Sequence, residues 1–205
     1  MNVYRQLLIV PALILAAASV SSAANITYEV NLTIGAGSVT GDIVTDGTIG
    51  TFPATPGTDA IADIIDWNLL LNDGTTTFDL TGPLSGDDST LFGSGTGGDF
   101  TDLSATSTQL LFDFDLGEDN ELVFTTETGT ALCFNATGDC TATGDSHGEL
   151  LFIGGTSNIQ FRSLSGTQAI GTAEASSTPE PSTFALLGAG IILLLASHKQ
   201  SAFSK

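Results

Sequence analysis

Basic residues are almost missing from this chain. Lysine and arginine together number 4 in 205 residues, against 23 acidic side chains. Arg5, Lys199 and Lys205 lie near the two ends, so Arg162 is the lone cation between residues 24 and 176. It stands against 22 carboxylates there, a formal charge of −21. Such a surface repels polyanions, because phosphate recognition needs lysine and arginine. Nucleic acid is therefore excluded as a partner. Internal salt bridges are close to unattainable, and self-repulsion must be screened by salt or divalent metal. Histidine is equally scarce. His147 is alone outside the tail, whereas a Ser–His–Asp relay needs a base held by a third group. Glycoside hydrolysis needs only two carboxylates, but Glu118 and Glu121 are three apart and would point to opposite faces of a strand. Trp67 and Tyr28 are the only Trp and Tyr between the ends, few for the aromatic cleft of a polysaccharide hydrolase. An enzyme is not expected.

Cysteine is limited to Cys133 and Cys140. Without a second thiol pair or a histidine pair, a zinc site is excluded. Thr137-Gly138-Asp139 offers a turn between the two, so a disulfide closing this small loop is expected in an oxidising compartment. Apolar residues make up 41% of the chain and alternate with polar ones, which excludes a disordered polyanion.

The two ends are built differently from the middle. Arg5 precedes a nearly continuous apolar stretch, Leu7–Ala18, and the small residues of Ser19–Ala24 follow. This is the tripartite order of a secretory signal peptide. Ser21/Ala23 and Ser22/Ala24 both supply small residues at −3 and −1. Cleavage after Ala23 or Ala24 is expected after passage through the Sec export machinery, with residues 1–23 as the signal peptide. At the other end Pro179-Glu180-Pro181 precedes the apolar run Phe184–Ala196, and Lys199 and Lys205 close the chain. As a helix that run covers ~20 Å at ~1.5 Å per residue. The hydrocarbon core is ~30 Å thick, so Thr183 and Ser197 must enter the interface and Lys199 must snorkel. The charge rule keeps the basic tip inside and everything before Pro179 outside.

Pro179-Glu180-Pro181, the apolar run and the basic tip together resemble the PEP-CTERM sorting domain of bacterial exported proteins, over roughly Ser177–Lys205. The resemblance implies that exosortase, a membrane transpeptidase-like enzyme, recognises the tripeptide and removes the tail. It also implies a setting of exopolysaccharide. The family's tip usually carries several arginines in a row; here it reads Ser197-His198-Lys199-Gln200.

The middle reads as strands and turns. Ile26, Tyr28, Val30, Leu32 and Ile34 alternate with polar residues, the period of a half-buried strand. Asn72-Asp73-Gly74 signals a hairpin between runs around Trp67 and Phe78. Gly82–Gly98 reads as a long exposed loop, and Leu103–Asp115 as one strand with Leu110, Phe112 and Phe114 on a single face. Glu121–Thr126, Ala131–Phe134, Glu149–Ile153 and Ile159–Leu164 complete the set. The expected fold is all-β, an antiparallel β-sandwich of about nine or ten strands. It spans residues 24–168, with a linker at 169–178 and the sorting segment at 179–201, whose transmembrane helix covers about 184–196.

One cluster invites a metal. Asp113, Asp115, Glu118, Asp119 and Glu121 group five carboxylates in nine residues, and hard cations want clustered oxygens; an outward acidic strand face running into a polar turn is the favoured account of them. No cofactor is required, calcium being the one cation they would take. The expected function is that of an exported structural or adhesive protein, anchored transiently in the inner membrane and then held at the cell surface or in the extracellular matrix. A calcium-dependent carbohydrate-binding module is the alternative, and a polysaccharide hydrolase the more distant one.

Overall fold

The computed structural model describes residues 24–53, 61–94, 102–115, 121–135, 147–154 and 158–174. All lie in the first of two compact units, which ends at Glu174. Residues 1–23 and 175–205 are outside the described set, so the signal peptide, the sorting tripeptide and the helix at 184–196 are too.

Among the described residues there are thirteen strands and no helix. They are β1 (Ile26–Ile34), β2 (Gly37–Thr45), β3 (Gly50–Thr51), β4 (Ile64–Asn72), β5 (Thr77–Thr81), β6 (Thr90–Ser94), β7 (Leu103–Ala105), β8 (Gln109–Asp113), β9 (Glu121–Thr125), β10 (Ala131–Asn135), β11 (Gly148–Phe152), β12 (Gln160–Ser163) and β13 (Thr167–Ala173). Every pairing is antiparallel. The larger sheet has eight strands in the order β3-β7-β8-β13-β1-β2-β4-β5, and the smaller has five, β12-β11-β10-β9-β6.

The period of two does the work in the larger sheet. Tyr28, Val30, Leu32 and Ile34 are buried while Glu29, Asn31 and Thr33 face out. Register is fixed by this alternation, because a slip of one residue would send the apolar set to solvent. A Cβ at Gly41, whose φ is 137°, would run into the carbonyl oxygen of Asn68; only glycine lets β2 lie this close to β4. Asn72-Asp73-Gly74 turns the β4–β5 hairpin as expected. Asp73 Oδ1 accepts from the Thr75 N–H and Oγ1, both at 2.8 Å, and from the Thr76 N–H at 2.7 Å.

The two sheets pack face to face. One core joins Val30, Leu69, Leu80, Phe112 and Phe114 of the larger sheet to Leu122, Phe124, Leu132, Phe134 and Leu151 of the smaller. Trp67 meets Phe124 edge-on with centroids 5.4 Å apart, and Phe112 meets Phe134 at 5.9 Å. Each fully buried phenylalanine contributes about 1.5–3 kcal/mol of transfer free energy.

Several expectations need correcting. Residues 169–173 are not linker; they belong to β13, an interior strand of the larger sheet. Their small side chains suit a strand flanked on both sides, where Gly171 already lies against Tyr28. Leu103–Asp115 is two strands, because Thr106 folds the chain back by accepting at Oγ1 from the Gln109 N–H at 2.8 Å. Gly82–Gly98 is not one open loop. Its first part is pinned and Thr90–Ser94 forms β6.

Candidate functional site

Asp113 and Asp115, the first members of the acidic cluster, sit where β8 closes. Asp113 is the last residue of β8, and both of its oxygens are engaged. Oδ1 accepts from the Asp115 N–H at 3.0 Å, and Oδ2 from Thr167 Oγ1 at 3.0 Å. Glu121 opens β9 and lies in register with Asn135. Glu118 and Asp119 lie outside the described residues. Among the described residues no three carboxylate, histidine or cysteine groups converge in a way that would hold a metal.

The smaller sheet holds the lone cation. Arg162 on β12 is paired in register with Glu149 on β11, with Nη2 at 2.6 Å and Nε at 2.8 Å from Glu149 Oε2. So one internal salt bridge forms where the composition left almost no room for any. Glu149 shares the inner face with Leu151, and its side chain is fully buried. Its other oxygen, Oε1, has no hydrogen-bond partner among the described residues. Burial pushes its carboxyl above the usual range, and Arg162 pulls it back only in part. His147 lies two residues before Glu149, just ahead of β11, its Nδ1 2.6 Å from the Phe114 carbonyl oxygen. That contact makes Nδ1 the protonated nitrogen and ties the ring to a backbone group, not to a carboxylate or hydroxyl.

A second region lies where the chain crosses between the sheets. Residues 82–89 leave β5 and feed β6, and buried groups of β4 fasten them. Asp66 Oδ1 accepts from the N–H groups of Leu84 at 3.0 Å and Ser85 at 3.2 Å, and Oδ2 accepts from Ser85 Oγ. Trp67 Nε1 donates to Ser89 Oγ at 2.8 Å, which donates onward to the Thr81 carbonyl at 2.8 Å. Beside this crossover runs an open groove of about 500 Å³, lined by Phe78, Asp87, Asp88, Thr90, Thr126 and Glu127 among others. One ring, three carboxylates and several hydroxyls give it both an apolar wall and hydrogen-bonding groups.

The chemistry that can be assigned by comparison lies beyond Glu174. Residues 177–200 match the PEP-CTERM protein-sorting motif. The chain carries a PEP-CTERM sorting signal. Pro179-Glu180-Pro181 falls inside the matched span, and the match supports an exported protein that exosortase sorts. No curated protein and no solved structure matches the chain.

Sequence reasoning located the sorting signal and missed the groups that organise the folded part. Asp66 and Glu149 were two carboxylates among many. A signal for Glu149 was present, since a lone arginine in a domain this acidic must choose one partner. Nothing in the order of residues singles out Asp66, because its donors come from a stretch 18 and 19 positions away.

The cysteine expectation divides in the same way. Cys133 is buried in the middle of β10 and is disulfide-bonded. Cys140, the chain's other cysteine, lies outside the described residues.

Proposed function

We propose that this chain is an exported structural or adhesive protein without catalysis, delivered by its PEP-CTERM signal to the cell surface or extracellular matrix. The observation that carries the reading is the match over residues 177–200. Exosortase recognises Pro179-Glu180-Pro181 while Phe184–Ala196 holds the chain transiently in the inner membrane, and removal of the tail releases the two-sheet domain. Sec export precedes this step, with the leader cut after Ala23 or Ala24. The domain then works within or beside exopolysaccharide.

What supports a non-catalytic role is the way the candidate groups are used. His147 is tied to a backbone carbonyl, and Asp113 is spent on Asp115 and Thr167. A calcium-dependent carbohydrate-binding role is the second reading, favoured by the groove at Phe78, where a ring and hydroxyl-binding groups lie together. Cation ligation by Asp113, Asp115, Glu118, Asp119 and Glu121 belongs to that second reading.

Replacing Pro179, Glu180 and Pro181 with alanine in the native host tests the first. The wild-type protein is expected outside the inner membrane with a new C-terminus upstream of Phe184, and the variant is expected to stay membrane-bound with Lys205 intact. Identical termini for both would refute sorting by this signal. A glycan array with and without chelator tests the second.

A further inference from the structure

The larger sheet is split. β1 and β13 are neighbours in it, yet they pair only at Tyr28↔Ala173 and Glu29↔Thr172. Beyond them β13 keeps its pairing with β8, with a register shift at Ala169/Gly171, while β1 continues to Ile34 alongside β2. Between the two strands, beyond their last pair, lies a cavity of about 340 Å³ lined by Glu29, Asn31, Leu32, Ala169, Ile170 and Thr172 among others.

Two properties of its wall define what fits. The first is the backbone. The β1–β2 hairpin turns through two residues, Gly35 and Ala36, so Ile34 and Gly37 form a hydrogen-bonded pair. Counting back, Leu32 and Val30 also bond to β2, whereas the N–H and C=O of Asn31 and Thr33 point the other way. Glu29, which points that same way, meets β13; Asn31 is past the end of that ladder. The N–H and C=O of Asn31 therefore face the cavity, and those of Thr33 continue the same edge of β1.

The second property is charge. Glu29 stands opposite Asp42 in register on the outer face, at a position where the two strands do not exchange hydrogen bonds and facing Cβ atoms come closest. Asp66 and Glu174 add to the negative potential at Asp42. The only Lys or Arg among the described residues is Arg162, and it is committed to Glu149. A cation that relieves this repulsion has to come from elsewhere. A second copy of the folded domain has no cationic side chain to spare for it.

We propose that the split between β1 and β13 is a docking slot for an extended polypeptide segment bearing lysine or arginine, which adds as a strand beside Asn31–Thr33 and places its cation between Glu29 and Asp42. Main-chain bonds supply the attachment and the carboxylate pair supplies the selection. This inference is independent of the sorting reading, since it concerns only the face of the folded domain.

Hydrogen exchange on the full chain tests it. Alone, the Asn31 amide is expected to exchange much faster than those of Val30 and Leu32. The probe is a short Thr/Val peptide flanked by lysines. Its addition is expected to slow exchange at Asn31 by about tenfold, the equivalent of one net hydrogen bond. The same peptide with N-methylated backbone, or flanked by glutamates, is expected to slow it less than about twofold, as is the lysine peptide on Glu29→Gln, which keeps the fold and loses the charge. The proposal is overturned if the Asn31 amide is already protected in the chain alone, if protection rises with protein concentration without peptide, or if all the peptides act alike.

Discussion

The two sheets obey different rules. The larger alternates: its inner face is apolar and its outer face carries Glu29, Asn31, Thr40, Asp42 and Asn68. The smaller is buried on both faces. Leu122, Phe124, Leu132, Phe134 and Leu151 point to the shared core, while Val123, Ala131, Cys133 and Leu150 form a second buried cluster on the opposite side, with Phe92, Phe152 and Phe161 packed against it. An antiparallel sheet usually keeps one face wet. Here β9, β10 and β11 read as short continuous apolar runs, the pattern of strands covered on both sides. The polar face of the sandwich, with its charge, belongs to the larger sheet, and the outer side of the smaller sheet is a place of concealment.

A like-for-like pair of leucines breaks or sharpens that contrast most strongly. Leu132 and Leu150 are both buried, on the inner and outer faces of the smaller sheet respectively. Leu→Ala costs about 2–5 kcal/mol in buried sites, more where the surroundings cannot collapse. Leu132→Ala is expected near the upper end of that range, because it opens the centre of the main core. Leu150→Ala is expected near the lower end, because its cluster of four buried residues has more room to relax. Denaturant midpoints at constant m-value decide it, and equal losses would mean the two faces are packed with the same rigidity.

The disulfide comes next. Cys133 lies in the outer cluster, and pairing with Cys140 would anchor the chain that follows β10 on that face. Closing a loop this short is worth about 2.5 kcal/mol through the unfolded chain. Replacing both cysteines with serine is expected to cost that much, with faster amide exchange concentrated in β10 and β11. Peptide mapping of the exported protein should recover a Cys133–Cys140 bridge; two free thiols would sink the pairing.

How legible each sheet was follows from the same contrast. Alternation announced β1 and β8, since a face against water leaves a polar mark at every second residue. Of the smaller sheet's strands, β9 to β12 were marked out while β6 was read as loop, and the second buried face was invisible because no polar residue marks it. Residues 169–173 failed for the opposite reason. Ala169, Gly171 and Thr172 look like linker, and only close packing against Tyr28 makes smallness a requirement of a strand. The number of strands was undercounted where Thr106–Thr108 turns the chain without glycine or proline. Of the sites, the sorting signal is written in contiguous residues and could be read directly. The Glu149–Arg162 pair, the Asp66 anchor and the split beside β1 depend on distant strands meeting, which no local pattern encodes.

Asp66 tests how the sheets are joined. It is buried and accepts three hydrogen bonds from the segment that carries the chain from β5 to β6. Asp66→Ala leaves the Leu84 amide without its acceptor and the Ser85 amide with only the Gly82 carbonyl, and a loss of about 1–3 kcal/mol is expected. Exchange should quicken at Leu84, Ser85 and along β6 while β1 and β2 stay protected. A uniform loss across both sheets would mean that the crossover is no more than one part of a single cooperative unit.

Glu149 gives the smallest effect and the most specific one, because among the described residues it is the one ionisable side chain buried on the smaller sheet's inner face. Burial raises its carboxyl above the ordinary value, and Arg162 offsets this only partly. The folded state therefore holds the proton more tightly than the unfolded chain. Between the ordinary carboxylate value and the raised one, stability must increase as pH falls, and above the raised value the full cost of the buried anion is paid. Asp42 acts in the same sense, raised by its own burial and then by Asp66 and Glu174, so Glu149 accounts for part of the slope and not all of it. Glu149→Gln removes the buried anion and frees Arg162, already partly exposed, to be solvated. Its thermal midpoint should respond less to pH over the mildly acidic range than that of the wild type, and Asp42→Asn should remove a further share. If Glu149→Gln leaves the slope unchanged, the pH response comes from mutual repulsion of the surface carboxylates, and raising the salt concentration should abolish it in both proteins.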